Sequence, residues 1–238
     1  MLAGVAALGL LLALAATGFE LALPGVGDAT ARAARLTSRH HERLLRPPVP
    51  HRIASALIAV EDENFYDDPL IDVGAGMLRA GLAQLTTAGD PGGSTLQQQV
   101  CKQLYPQGPG LAASVRELGL GLKLGLVYSK PRVLAMYLNV VYFGNQYWGI
   151  EAAARGYFGT GVDRLSWAQA ALLAGLPQAP TGYDPYHHPR LAKERQRHVL
   201  GQLVANHYLS RRAARAAYLA PLHLVRRHRA TAAANPPP

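Results

Sequence analysis

The sequence has little cysteine, few aromatic side chains and few charges. Cys101 is the one cysteine among 238 residues, which excludes an internal disulfide framework and a metal site of the CxxC type. It stands in a helical pattern of apolar and polar residues, and this pattern predicts a buried small hydrophobe instead of a reactive thiol. Aromatic residues make up 7% of the chain, helix formers are abundant, and no strand pattern persists beyond a few residues. A mainly α-helical domain with one core is therefore predicted.

Acidic residues are nearly absent from the C-terminal part, and the net charge of +9 originates there. Residues 190–238 contain ten Lys and Arg against Glu194 alone, and a second basic stripe runs through residues 32–52. Such stripes fit the phosphates of anionic lipids or of nucleic acid, while solvated helix faces are the simpler alternative. The basic tail has no interleaved aromatic residues, which argues against nucleic acid as a partner.

Residues 1–19 contain no charged side chain, and this run predicts a transmembrane segment. Nineteen helical residues span roughly 28 Å, close to the hydrocarbon thickness of a bilayer. A cleaved signal peptide is the alternative, because small residues occur near positions 13–17. We favour an uncleaved signal anchor. The predicted organisation is an anchor at 1–23, a basic juxtamembrane linker at 24–50, a core domain at 51–206, and a basic extension with a disordered tail at 207–238.

Apolar spacing and turn residues place the predicted helices along the chain. They are expected near 52–66, 72–85, 94–104, 114–127, 130–142, 147–157, 166–175 and 190–208.

The stretch ALIAVEDENFYDDPLID, residues 56–72, puts carboxylates directly after an apolar run. Glu61, Phe65 and Asp68 would form one stripe if the helix continued past Tyr66. A carboxylate packed beside an aromatic ring loses hydration, which makes it a stronger base. A capped and solvated helix end is the alternative interpretation.

The stretch DPGGSTLQQQVCKQLY, residues 90–105, joins a glycine-rich turn to a helix. Ser94 and Gln97 have the spacing of a capping box. Thr95, Gln99 and Lys102 would share one polar stripe, so the helix start and the lysine could cradle a diphosphate. The sequence lacks the GK[ST] ending of a Walker loop. A well-capped surface helix is the alternative.

Three further regions carry capping, aromatic or proline-rich patterns. Ser114 and Glu117 also have capping-box spacing, which explains Glu117 without any catalytic role. YLNVVYFGNQYWGIEAAARGYFG, residues 137–159, is too rich in Tyr, Asn and Gly for a simple core helix. LLAGLPQAPTGYDP, residues 172–185, ends an apolar helix in a proline-rich turn.

Taken in order, these stretches resemble the peptidoglycan glycosyltransferase family, glycosyltransferase family 51, found in class A penicillin-binding proteins and monofunctional transglycosylases. The resemblance covers residues 52–205, and GGSTLQQQVCK at 92–102 closely matches a sequence motif of the family. It implies a mainly α, lysozyme-like domain with an N-terminal transmembrane helix, acting outside the cytoplasmic membrane. The implied reaction polymerises lipid II with inversion at the anomeric carbon and releases undecaprenyl diphosphate. A chain ending at Pro238 is expected to be monofunctional.

The resemblance also assigns roles by position. Glu61 matches the general base, and Glu117 matches a second essential glutamate on the diphosphate side. Substrate-binding positions are Asp62, Phe65, Thr95, Gln99, Lys102, Arg116 and Asn139. No organic cofactor is implied, and a divalent cation, Mg²⁺ or Mn²⁺, is left open. The implied partners are lipid II, the growing glycan strand and anionic membrane lipids, with transpeptidase, divisome or elongasome proteins left open.

The sequence departs from the family in several motifs, including two positions of the first. Asp68 and Leu70 stand where the family has a histidine and a glycine. This departure keeps a second hypothesis open, a catalytically weakened relative that binds lipid II as a scaffold. A lysozyme-type hydrolase is a third hypothesis.

Overall fold

The computed structural model describes residues 23–67 and 95–225. Within them it contains nine α-helices and a short 3₁₀-helix, Val162–Arg164, between the sixth and seventh. In this part of the chain the extended pairing is limited to one isolated bridge, Tyr142 to Trp148, so the prediction of a mainly helical domain is confirmed. The helices are α1 Ala29–Arg39, α2 His51–Glu61, α3 Leu96–Leu104, α4 Leu111–Val127, α5 Lys130–Val140, α6 Ile150–Phe158, α7 Trp167–Gly175, α8 Pro189–Ala205 and α9 Arg211–Leu219.

The helices pack in two groups that share one hydrophobic core. In the first group α7 packs against α2, α8 and α9, and in the second α3 packs against α4 and α5 with α1 alongside. Helix α6 contacts both α5 and α7 and thereby joins the groups. The C-terminal end of α2 and the N-terminal end of α3 come from different groups, so side chains there face each other across a boundary.

Helix α2 ends at Glu61, earlier than predicted. Asp62 has φ −162° and ψ 75°, outside the helical region, and the next residues form turns. The expected stripe of Glu61, Phe65 and Asp68 on one helix face is therefore wrong. Phe65 is nevertheless buried, because the turn folds it back into the core. Asp68 lies outside the described residues.

The capping box of α3 lies one residue later than predicted. Thr95 is the N-cap: its hydroxyl accepts from the Gln98 backbone N–H, and the Gln98 side chain accepts from the Thr95 N–H. Gln97, which we predicted to close the box, is a buried residue of the first turn. Ser94 lies outside the described residues.

Helix α4 begins a turn earlier than the capping-box pattern predicts. Gly110 is its N-cap with φ 107°, a conformation that favours glycine. Ser114 lies one turn inside the helix, where its hydroxyl donates to the Gly110 carbonyl at 3.4 Å. The capping account of Glu117 is therefore wrong, and its carboxylate needs another explanation.

Helix α9 was not among the predicted helices, although it falls in the predicted basic extension. It packs on α8 and α7, and the chain after it continues along the domain. The Tyr218 carbonyl accepts from the Lys193 ammonium, and the Val225 N–H donates to the Tyr157 carbonyl at 2.8 Å. The ordered fold therefore continues past the predicted boundary at residue 206.

Cys101 is fully buried, as predicted, and burial raises the pKa of its thiol to about 12. Across 23–67 and 95–225, no helix has the length and apolar character that a membrane crossing requires. The predicted anchor, the predicted helix at 72–85, Leu70 and the end of the chain beyond residue 225 lie outside the described residues.

Candidate active site

Glu61 is the last residue of α2 and lies beside α3. The Gln99 amide of α3 donates a hydrogen bond to Glu61 Oε2 at 3.0 Å. Burial lowers the pKa of the Arg195 guanidinium on α8, and the negative charge of Glu61 partly opposes this shift. The half-buried carboxylate at the end of α2 therefore bonds α3, and its charge acts on a guanidinium of α8.

The turn after Glu61 is fixed by contacts to α3 and α5. Asp62 Oδ2 accepts from the Leu96 N–H at 3.1 Å, so it occupies the helix start with the favourable sign of charge. The Phe65 ring is 2% exposed, and the Lys130 ammonium lies 5.5 Å from its centroid. These contacts fix the turn that directly follows Glu61.

Glu117 of α4 lies beside the same helix, further along. Its Oε2 is 4.0 Å from the Lys102 ammonium, and these side chains are 20% and 45% exposed. Gln99 and Lys102 are three residues apart, so they share one face of α3 about 4.5 Å apart along its axis. Gln99 and Lys102 on this polar stripe of α3 therefore contact Glu61 and Glu117, respectively. The predicted role of Thr95, Gln99 and Lys102 at a diphosphate stays a prediction.

Arg116 and Asn139 occupy different surroundings. Arg116 is exposed on α4 next to Glu117. Asn139 is buried, and its amide bonds the backbone N–H and carbonyl of Leu45 and the carbonyl of Ala135 at 2.7–2.8 Å. These bonds tie the segment before α2 to α5. A substrate contact of Asn139 stays a prediction.

Arg195 and Tyr137 are two residues near the site that were not predicted from the sequence. Arg195 stacks 5.8 Å from the Tyr183 ring centroid, and its Nε donates to the Gly175 carbonyl at 3.2 Å. Tyr137 is a core residue of α5, and the pKa of its hydroxyl is raised by burial and by the charge of Glu61. Arg195 and Tyr137 can be read in the sequence, in α8 and in the YLN stretch. Their relation to Glu61 depends on the fold, so no local pattern indicates it.

The described residues do not form a protein-only metal site. No group of three or more His, Cys, Asp or Glu side chains suited to a metal occurs within 23–67 and 95–225. Glu117 offers one carboxylate, and the Lys102 ammonium stands next to it. A Mg²⁺ ion at this point would fit only as an ion shared with substrate phosphates, which is a common arrangement for that metal.

Comparison with known proteins adds independent evidence. The family model described as transglycosylase matches residues 29–204. A Cupriavidus necator protein named "Putative transglycosylase" is 35% identical over 177 residues, covering 74% of this chain and 76% of that protein. Penicillin-binding protein 1A of Aquifex aeolicus is 35% identical over 167 residues, covering 68% of this chain and 22% of the other. Penicillin-binding protein 2D of Bacillus subtilis is 39% identical over 164 residues, covering 68% and 24%. The chain therefore spans less than a quarter of these two penicillin-binding proteins.

A helical domain with two glutamates along one polar helix face, matched over most of its length by this family model, defines a transglycosylase domain. The chain belongs to the transglycosylase family. The resemblance to peptidoglycan glycosyltransferases found in the sequence is thereby confirmed.

Proposed function

We propose that this peptidoglycan glycosyltransferase polymerises lipid II, with Glu61 as the general base. The observation that supports it best is the polar face of α3, which contacts Glu61 through Gln99 and Glu117 through Lys102. A base at one end and a cation with a second carboxylate at the other end match the two halves of a glycosyl transfer.

The proposed reaction joins an acceptor sugar to a lipid-linked donor. The 4-hydroxyl of the acceptor sugar attacks the donor's anomeric carbon while Glu61 accepts the hydroxyl proton. The new C–O bond forms as the bond to the diphosphate breaks, and undecaprenyl diphosphate leaves with the electron pair. The configuration at the anomeric carbon inverts, because attack and departure occur on opposite faces.

Positive charge near Glu117 would stabilise the leaving diphosphate. Lys102 is 45% exposed and can reach a substrate oxygen, whereas the amides at the start of α3 are partly used by Asp62 and Thr95. A divalent cation would share Glu117 with the diphosphate oxygens, and it would add positive charge at the same place.

We further propose that the protein acts at the extracytoplasmic face of the cytoplasmic membrane, held by residues 1–23 as an anchor. The described chain begins beside α4, where the Lys123 ammonium donates to the Leu23 carbonyl at 3.4 Å. Arg32, Arg35 and Arg39 follow on exposed positions of α1, where they suit anionic lipid headgroups. Transpeptidases are the partners that would cross-link the product.

The test is polymerisation of purified lipid II, with glycan products separated by length and the reaction run with Mg²⁺ and with EDTA. We expect wild-type protein to make polymer and Glu61→Gln to make none while remaining folded. Glu63→Gln is the matched control, because Glu63 is an exposed carboxylate two residues away. Wild-type protein that binds lipid II without making polymer would contradict the proposal and favour the scaffold hypothesis, particularly if Asp68→His then created activity. Release of reducing sugars from finished peptidoglycan would instead favour a hydrolase.

A further inference from the structure

The hydroxyl of Tyr137 is buried without a hydrogen-bond partner among the described residues. The side chain is 1% exposed, and Tyr137 Oη has neither a donor nor an acceptor within bonding distance there. Tyr157 is buried just as deeply, yet its hydroxyl donates to the Phe143 carbonyl at 2.8 Å and accepts from the Asn145 amide at 2.9 Å. A buried hydroxyl without a partner destabilises the folded state, so packing of the ring does not explain why this residue is a tyrosine.

The surroundings of Tyr137 point to Glu61. Tyr137 lies on α5, which packs directly on α3, the helix whose Gln99 bonds Glu61. Burial raises the pKa of the Tyr137 hydroxyl well above its usual value, and the charge of Glu61 adds to this shift. The hydroxyl therefore keeps its proton and remains a donor at any working pH.

Side chains from three helices thus interact with the Glu61 carboxylate or with its charge. Gln99 of α3 holds Oε2, Arg195 of α8 contributes positive charge, and Tyr137 of α5 provides a donor that is not in use. In the proposed reaction, the acceptor sugar's hydroxyl must reach one carboxylate oxygen. Gln99 already holds Oε2, and a second donor from another helix would fix the plane of the carboxylate more firmly while the sugar approaches.

We propose that Tyr137 is a positioning residue whose hydroxyl donates to the Glu61 carboxyl group when the acceptor sugar occupies the site. This inference rests on the proposed role of Glu61 as base. The phenol bonds the oxygen that does not take the proton, and it keeps its own proton throughout. The bond forms only in the complex with the acceptor, where it aligns the base with the acceptor's hydroxyl, so its loss lowers kcat and leaves substrate binding unchanged.

The test is Tyr137→Phe, which removes one oxygen and retains the ring. We expect kcat to fall about tenfold with KM unchanged, as for loss of one bond to a charged group. We also expect the acid limb of the pH–rate profile to move to higher pH, because the ionised base has lost a donor. The unfolding temperature should stay the same or rise, since a buried hydroxyl without a partner has been removed.

Tyr157→Phe is the matched control, because it deletes a buried hydroxyl that has both its bonds and does not contact Glu61. We expect it to lower the unfolding temperature and to leave kcat and the pH profile close to wild type. If Tyr137→Phe matches wild type in kcat and pH profile and only gains stability, Tyr137 has a packing role and the inference is wrong. Wild-type protein that makes no polymer overturns both the proposed function and this inference, whereas active wild-type with an equally active variant overturns the inference alone.

Discussion

The side-chain amide of Gln99 bonds the Glu61 carboxylate at 3.0 Å, and this bond joins two helices from different packing groups of the domain. Glu61 ends α2, whereas Gln99 lies in the middle of α3. A base placed at a helix end has freedom to rotate, and a neutral amide limits that freedom without neutralising the charge. Gln99 therefore orients the carboxylate and stabilises its ionised form.

Gln99→Met should keep the side-chain volume and remove this donor. Because the donated bond favours the ionised base, we expect the acid limb of the polymerisation pH profile to shift to higher pH, with about a tenfold loss of kcat/KM at low pH. The loss should shrink as the pH rises and Glu61 ionises without help. Gln103→Met on the exposed side of α3 is the control, and it should leave the profile unchanged. A pH-independent loss in Gln99→Met would argue for a direct substrate contact instead.

Lys102→Ala separates stability from activity. The ammonium and Glu117 are 4.0 Å apart and partly exposed, so the pair should contribute under about 1 kcal/mol to the free energy of unfolding. Loss of a cation at the leaving diphosphate should lower kcat by roughly 100-fold or more. Arg190→Ala removes an exposed charge from the start of α8 and should affect neither quantity. Denaturant titration and polymerisation rates provide both readouts, and equal effects of the two variants would contradict this role for Lys102.

Much of this site could be predicted from sequence, because the polar stripe of α3 depends on helical spacing alone. Gln99 and Lys102 share a face in any α-helix, and the structure places both glutamates along it. The positions at which helices end were predicted less accurately. Asp62 leaves the helical conformation and bonds the Leu96 N–H, a partner that is 34 residues away. Such a tertiary bond has no local sequence signal.

Two capping-box predictions failed for a related reason. Thr95 and Ser94 are both good N-cap residues, each with a glutamine three positions later, and sequence could not choose between them. At α4, Gly110 starts the helix because it adopts a positive φ, so Ser114 is left inside the first turns. Arg195 and Tyr137 could not be predicted as neighbours of the Glu61 charge, because only the packing of α5 and α8 brings them within its range.

Thr95 was predicted to bind substrate, and in the structure its hydroxyl caps α3. Thr95→Ala should lower the free energy of unfolding by about 1 kcal/mol, the usual effect of losing an N-cap. Activity should fall as well, because the start of α3 also positions the Asp62 contact. Thr95→Ser keeps the capping oxygen and should restore both the stability and the rate. If Thr95→Ser folds as wild type but remains slow, the methyl group has a substrate contact.

Gly175 ends α7 in close contact with Arg195. A Cβ at this position would lie 2.7 Å from Arg195 Cγ and 3.4 Å from Val199 Cγ2, so Gly175→Ala must displace the arginine. We expect a loss of about 1–3 kcal/mol in the free energy of unfolding from overpacking. We also expect a drop in kcat, because the guanidinium that interacts with the Glu61 charge moves.

Gly201 provides the matched control for this substitution. It lies within α8, and a Cβ there would meet nothing within 4 Å. Gly201→Ala should therefore stabilise the domain by about 0.5–1 kcal/mol through the better helix propensity of alanine, without changing kcat. Chemical denaturation and lipid II polymerisation of both variants give the comparison. A Gly175→Ala protein that loses stability and retains wild-type kcat would show that Arg195 supports packing and has no influence on the base.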